Sequence, residues 1–211
     1  MQKRKKNVVF MVGCLALLLV ASSFAYWSGK IEHTNELQAD RMNAQIEETF
    51  EQGSQPSGTV EKKVAFKNDS TSAAFLRVAY AETWKKQSDD EDSLLLNNQV
   101  NETDVATKKW KNGFDANSDL WQDGGDGWFY YKRILKPSES TDEILESVTF
   151  PEYSGDYEDY KDAEYQLYFR MELLQASDSQ STLNSAEVNK NASQTVFGKE
   201  ATVNGETVNW K

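Results

Sequence analysis

The stretch AEYQLYFRMELL, residues 163–174, alternates from Tyr165 to Leu173. Tyr165, Leu167, Phe169, Met171 and Leu173 fall on one side, and Gln166, Tyr168, Arg170 and Glu172 on the other. A helix would scatter these apolar residues around its axis, whereas a strand gathers them on one face. The run therefore specifies a half-buried antiparallel strand. Its apolar face must be covered by other elements of the same chain.

Further strand signals surround it. TVEKKVAFKN and AFLRVAYAETW flank the turn-rich DSTSA and read as a hairpin with a longer loop, with Leu76, Val78 and Tyr80 on one face opposite Arg77. WFYYKRIL (128–135) and DEILESVTF (142–150) flank KPSEST and read as a second hairpin, with Pro137 in its turn. Helix propensity favours NELQADRMNAQIEETF. Against it, Met42, Ala44, Ile46 and Glu48 alternate with Asn43, Gln45 and Glu47, a period of two that assigns a strand. The interval 87–127 is polar and reads as loop, SAEVNKNASQTVF as a short helix, and ATVNGETVNW as a final strand. Many strands with turn signals and few helical stretches indicate an all-β, antiparallel β-sandwich of jelly-roll type.

The N-terminus has a different character. Lys3, Arg4, Lys5 and Lys6 precede VVFMVGCLALLLVASSFA, the order of a secretory signal's basic and apolar regions. Ser23 and Ala25 supply small residues at the −3 and −1 positions of a cleavage site before Tyr26. Two other readings stay open: an uncleaved anchor, since Val8 to Trp27 is about long enough to span a bilayer, and a lipoprotein box at MVGC, although apolar residues continue after its cysteine. The small-residue ending favours cleavage. The expected organisation is a signal peptide (1–25) forming a helix, an N-terminal segment holding a donor strand and the first strand (26–58), and a β body (59–211). Export would place the body outside the cell, in a matrix or at the surface, with the signal segment as its only contact with a membrane.

Charge and chemistry narrow the function. Removing residues 1–25 takes four of the 23 basic residues and none of the 34 acidic ones, which moves the formal charge from −11 to −15. A chain this acidic repels nucleic acid, whose phosphates need clustered Lys and Arg. Cys14, the only cysteine, lies in the apolar run, so the body has neither a disulfide nor a thiolate nucleophile. His33, the only histidine, sits in the N-terminal segment and has no Cys or second His to share a metal. A Ser-His-Asp triad would need that same residue, and no G-x-S-x-G turn is present. Carboxylate pairs such as Glu47/Glu48 and Asp89/Asp90 carry no specificity in so acidic a chain. These features argue against an enzyme.

One loop has cation-binding spacing. DANSDLWQDGGD sets Asp115, Asn117, Asp119, Asp123 and Asp126 where a calcium loop places its oxygen ligands, but Leu120 stands where that loop needs glycine and Asp126 where it needs Glu. No other cofactor is indicated. YSGDYEDY (153–160) reads as a surface contact loop.

Taken in order, FAYWSGK, NELQADRMNAQIEE, VAFKNDSTSAAFLRVAY and DGWFYYKRILKPSESTDEILESVTF form a series that resembles the TasA/BsaA-type exported proteins of Gram-positive bacteria. Those proteins use the specialised signal peptidase SipW and build biofilm matrix fibres. The turn KPSES departs from the family's Lys-Pro-Gly-Glu. The resemblance implies a secreted structural protein whose partners are copies of itself or related matrix subunits. It also implies that the freed N-terminal segment acts as donor strand for the next subunit's sheet. Tyr26 and Trp27 would anchor that contact, since buried aromatics dominate interface energetics. The alternatives are a monomeric cell-surface binding module and an accessory subunit that anchors fibres.

Overall fold

Sheet edges and paired strands define the architecture of the computed structural model, which describes residues 44–49, 58–87, 93–177 and 185–211. All of them belong to the unit running from Arg41 to Lys211. The signal helix and donor strand expected before residue 44 lie outside the described residues. Thirteen strands, all paired antiparallel, dominate what is described.

The first sheet has the order β1-β2-β10-β7, formed by β1 (Ala44–Thr49), β2 (Gly58–Asn68), β10 (Leu145–Phe150) and β7 (Thr107–Trp110). The second runs β11-β3-β9-β8, from β11 (Ala163–Gln175), β3 (Ala74–Gln87), β9 (Phe129–Tyr131) and β8 (Trp121–Asp123), with β4 (Ser93–Leu96) also paired to β3. Two small ribbons complete the set: β5 (Gln99–Val100) with β6 (Thr103–Asp104), and β12 (Ala201–Asn204) with β13 (Thr207–Trp210). The helix α1 (Ser185–Phe197) forms where the sequence places it and ends at Gly198, whose φ of 74° is the left-handed conformation that closes many helices.

Side chains from both sheets enter one apolar core. Val64, Phe66, Leu145 and Val148 come from the first sheet, and Leu76, Val78, Trp84 and Leu167 from the second. The alternation of β11 is realised as read, since Tyr165, Leu167, Phe169, Met171 and Leu173 all pack on this core. Phe66 bridges the layers, its ring centroid 6.3 Å from Trp121 and 6.0 Å from Phe169. The strand assigned around Ile46 is present as β1, and Ile46 packs on the same core.

Both expected hairpins are corrected. β2 pairs with β1 and β10, whereas β3 pairs with β11, β9 and β4, so the segment between β2 and β3 carries the chain from one sheet to the other. Likewise β9 and β10 stand in different sheets. The fully buried Asn68 organises this corner. Its Nδ2 donates to the carbonyls of Ser72 (2.8 Å) and Leu135 (2.9 Å), and its Oδ1 accepts from the Ser70 amide and hydroxyl. Its main chain bonds Glu139 and Ser138 of the KPSES turn. Such a corner supplies from one side chain the backbone partners that a hairpin would have supplied.

Two other expectations change. The interval 87–127 contains β4 to β8 and the core residues Val105, Ala106, Phe114 and Trp121, which stand singly or in pairs within a polar stretch. ATVNGETVNW is a hairpin whose two-residue turn begins at Gly205, with φ of 63° as a mirror-type turn requires.

Candidate functional site

Strand edges are the first candidate. β1 ends the first sheet and β11 ends the second, and their Cα atoms approach within 8 Å without the two strands pairing. Each therefore carries a row of main-chain donors and acceptors with no strand partner among the described residues, which is a template for another strand. β1 is short, and the N-terminal segment leads directly into it.

A second cluster lies on the outer face of the β11-β3 sheet, which the sequence reading left as the polar side. Phe75, Tyr130, Phe197, Val208 and Trp210 form a separate buried cluster there, where α1 and the β12-β13 ribbon cover the strands. The guanidinium of Arg77 sits at its margin, 4.3 Å from the Trp128 ring centroid and 4.4 Å from that of Phe197. Its Nε and Nη2 donate to Glu172 Oε2 at 2.9 and 2.6 Å, and Nη1 donates to the Phe197 carbonyl at 3.0 Å. That carbonyl belongs to the negative end of the helix dipole. Burial is the largest influence and would raise the Glu172 carboxyl, but the hydrogen bonds and charges of Arg77 and Arg170 together outweigh it and hold the group below its ordinary range. The Tyr130 hydroxyl lies 2.7 Å from Asp126 Oδ2 and 3.1 Å from the same Phe197 carbonyl; burial and the Asp126 contact push this phenol up to about 12. The cluster clasps the helix to the sheet, and the charges it contains are satisfied within the chain.

A third cluster crosses the core. Glu82 of β3 has the same inward parity as Leu76, Val78, Tyr80 and Trp84, and it meets Lys108 of β7 there. Lys108 Nζ donates to both Glu82 oxygens at 2.9 and 2.7 Å and lies 3.3 Å from Asp104 Oδ2. The Tyr165 hydroxyl donates to Glu82 Oε2 at 2.5 Å, and burial followed by that bond drives its pKa strongly upward. One ion pair thus ties strands of both sheets. Periodicity places Glu82 on the inward face of its strand but does not name Lys108 as its partner.

The acidic loop uses several of its side chains to hold its own backbone. Asp126 Oδ1 accepts from the Trp128 amide at 3.0 Å and its Oδ2 from Tyr130, Asp123 Oδ1 accepts from the Gly125 amide at 2.8 Å, and Asn117 Oδ1 accepts from the Asp123 amide at 3.2 Å. Burial pushes the Asp126 carboxyl up, yet its hydrogen bonds from Tyr130 and Trp128 win and keep it low. Asp115 and Asp119 stay at the loop surface. Among the described residues, no group of three or more His, Cys, Asp or Glu is placed to hold a metal ion. After treatment with EDTA, adding millimolar calcium is expected to move the thermal midpoint of the purified protein by less than about 1 °C. A site filled at a hundredfold excess over its Kd would add about 2.7 kcal/mol and shift the midpoint by several degrees, which scanning calorimetry would detect.

Ser23, Ala25, Tyr26 and Trp27, the cleavage and assembly residues, lie outside the described residues, as do Cys14 and His33. The YSGDYEDY loop forms a 3-10 turn over Gly155–Tyr160. It turns its tyrosines inward: Tyr160 is buried with its hydroxyl on the Asn97 carbonyl (2.9 Å), and Tyr153 and Tyr157 pack on the core. Its acidic residues face outward. No protein-family model, curated protein or solved structure matches the chain. Among the described residues, no helix is long and apolar enough to cross a membrane.

Proposed function

We propose that this chain is a secreted structural protein of the extracellular biofilm matrix, of the TasA/BsaA type exported through SipW. In this reading the two sheets form a jelly-roll-like sandwich, and subunits join through the N-terminal segment. Cleavage before Tyr26 frees that segment, and it adds as a strand to an open sheet edge of the next subunit. The observation that carries the reading is the position of β1: the strand into which the N-terminal segment leads is the outermost of its sheet. A segment extending from an edge can reach a neighbour without disturbing the core, and main-chain hydrogen bonds then supply affinity. Head-to-tail addition of this kind is heterologous and builds open filaments. The acidic surface keeps free subunits apart until a specific contact forms. Neither a catalytic nor a cofactor role is part of the proposal.

Deleting residues 26–30 from the mature protein is expected to abolish filaments in electron micrographs while leaving the circular dichroism spectrum of the body unchanged. Filaments of ordinary yield from this variant would remove the donor-strand proposal. A mature protein that binds a surface ligand but never polymerises would favour the binding-module alternative.

A further inference from the structure

We propose that the outer edge of β11 pairs with the same edge of a second copy, forming a two-fold contact that joins two subunits side by side. The inference does not rest on the donor-strand reading, since it needs only β11 and a closed rather than an open symmetry.

Among the described residues, β11 differs from the other sheet edges in its length and regularity: no strand pairs with its outer side, although β1 approaches it. Natural edge strands are kept from pairing by being short, by proline, by bulges or by coverage. β1 has six residues and β7 and β4 have four each. β11 has 13 residues, contains no proline, and pairs with β3 residue by residue from Ala163–Lys86 to Gln175–Ala74 without a register shift. Its side chains toward the outer face include Tyr168, 56% exposed, and Arg170, whose side chain is 72% exposed.

The sequence of this edge complements itself in two registers. The one with its axis at Met171 would oppose Arg170 with Glu172, which Arg77 of the same chain already holds, so the axis at Leu167 is the one that supplies a new pair. An antiparallel pair related by a two-fold axis at Leu167 puts Glu164 opposite Arg170 of the second copy, and Arg170 opposite its Glu164. The same axis sets Gln166 opposite Tyr168 on the outer face and Tyr165 opposite Phe169 on the core face, so apolar rows meet apolar rows. An axis at Tyr168 would instead oppose Glu164 with Glu172, a like-charge contact that cross-strand pairing disfavours. An axis between two residues would set core-facing side chains against outward ones. Arg170, though it also lies 5.4 Å from the Trp128 ring centroid, is exposed enough to turn toward this new partner. It donates to Glu172 Oε1 at 2.6 Å, but Glu172 is held independently by Arg77 and keeps a cation when Arg170 turns away. The contact is isologous and closes at two subunits, so in a filament it would join neighbouring strands of subunits laterally.

The test uses the mature chain without residues 26–30, so that end-to-end assembly does not obscure a dimer. Sedimentation equilibrium is expected to show a monomer–dimer equilibrium for this protein. Glu164→Arg and Arg170→Glu should each weaken dimerisation by about tenfold or more, because each change is felt twice across the axis. The double variant Glu164→Arg/Arg170→Glu should restore it, and amide exchange within 163–175 should slow as concentration rises. A protein that stays monomeric at about 100 μM, single variants that dimerise as before, or a double variant that stays monomeric would each overturn the proposal. If filaments persist without residues 26–30, it is the donor-strand reading that fails, and the charge-swap comparison can still be read in the size of lateral bundles.

Discussion

Trp84→Ala is expected to lower unfolding stability by about 3–5 kcal/mol, the range for removing a large aromatic from a packed core. For a domain of ordinary stability, roughly 5–15 kcal/mol, that is enough to leave the variant marginal. Trp84 is fully buried and has four aromatic neighbours, Phe150, Tyr153, Tyr160 and Tyr165, with centroids at 5.8, 6.1, 5.2 and 5.1 Å. These neighbours come from β10, the loop after it and β11, so the indole is where three parts of the chain meet. Its Nε1 donates to Asn98 Oδ1 at 2.9 Å, and Asn98 also takes the Ala106 amide and donates to the Ala106 carbonyl. Truncation therefore opens a cavity and loosens the polar brace of the β5-β6 ribbon. Trp84→Phe should cost less, because it keeps most of the packing and loses the Asn98 bond. Urea unfolding followed by circular dichroism separates the two; a loss below about 1 kcal/mol for the alanine variant would contradict the central place given to this residue.

The second large effect concerns the ion pair in the core. Lys108→Ala is expected to cost about 3–5 kcal/mol, since Glu82 would remain between the sheets without its cation. The side chain of Lys108 is only 5% exposed and that of Glu82 20%, so water offers the orphaned carboxylate little relief. The double variant Glu82→Leu/Lys108→Met should recover most of that loss, because exchanging a buried pair for apolar groups of similar size is often neutral or stabilising. A double-mutant cycle measures the coupling directly. If Lys108→Ala and the double variant lose the same stability, the charge on Glu82 is not what makes the single change costly. The cluster would then contribute by packing alone.

How far the sequence reveals this fold can be judged from particular residues. The alternation in β11 located a strand and its buried face, because the period of two from Tyr165 to Leu173 leaves no helical solution. Alternation does not name a partner, however. AFLRVAYAETW and TVEKKVAFKN read as a hairpin because they are adjacent in sequence, yet the buried Asn68 turns the chain into the other sheet. The short strands between 93 and 123 escaped notice since two to four residues are too few to show a period. The apolar cluster beneath α1 was missed for a related reason. Phe75 and Tyr130 share their strand face with the charged Arg77 and Lys132, and only the helix and the last ribbon make that face interior. The Asp115–Asp126 loop followed the spacing of a cation site, but the same Asx residues also serve tight turns by accepting backbone N–H groups, and that is what Asn117, Asp123 and Asp126 do. Open edges cannot be read from sequence at all, because they depend on which strand ends each sheet.

Electron microscopy of the purified chain beginning at Tyr26 tests the proposed function most directly. Incubated at assembly concentrations, it is expected to form filaments, with the N-terminal residues protected from amide exchange once they have formed. A protein that remains monomeric under those conditions, with its β body folded by circular dichroism, would contradict the matrix-fibre account.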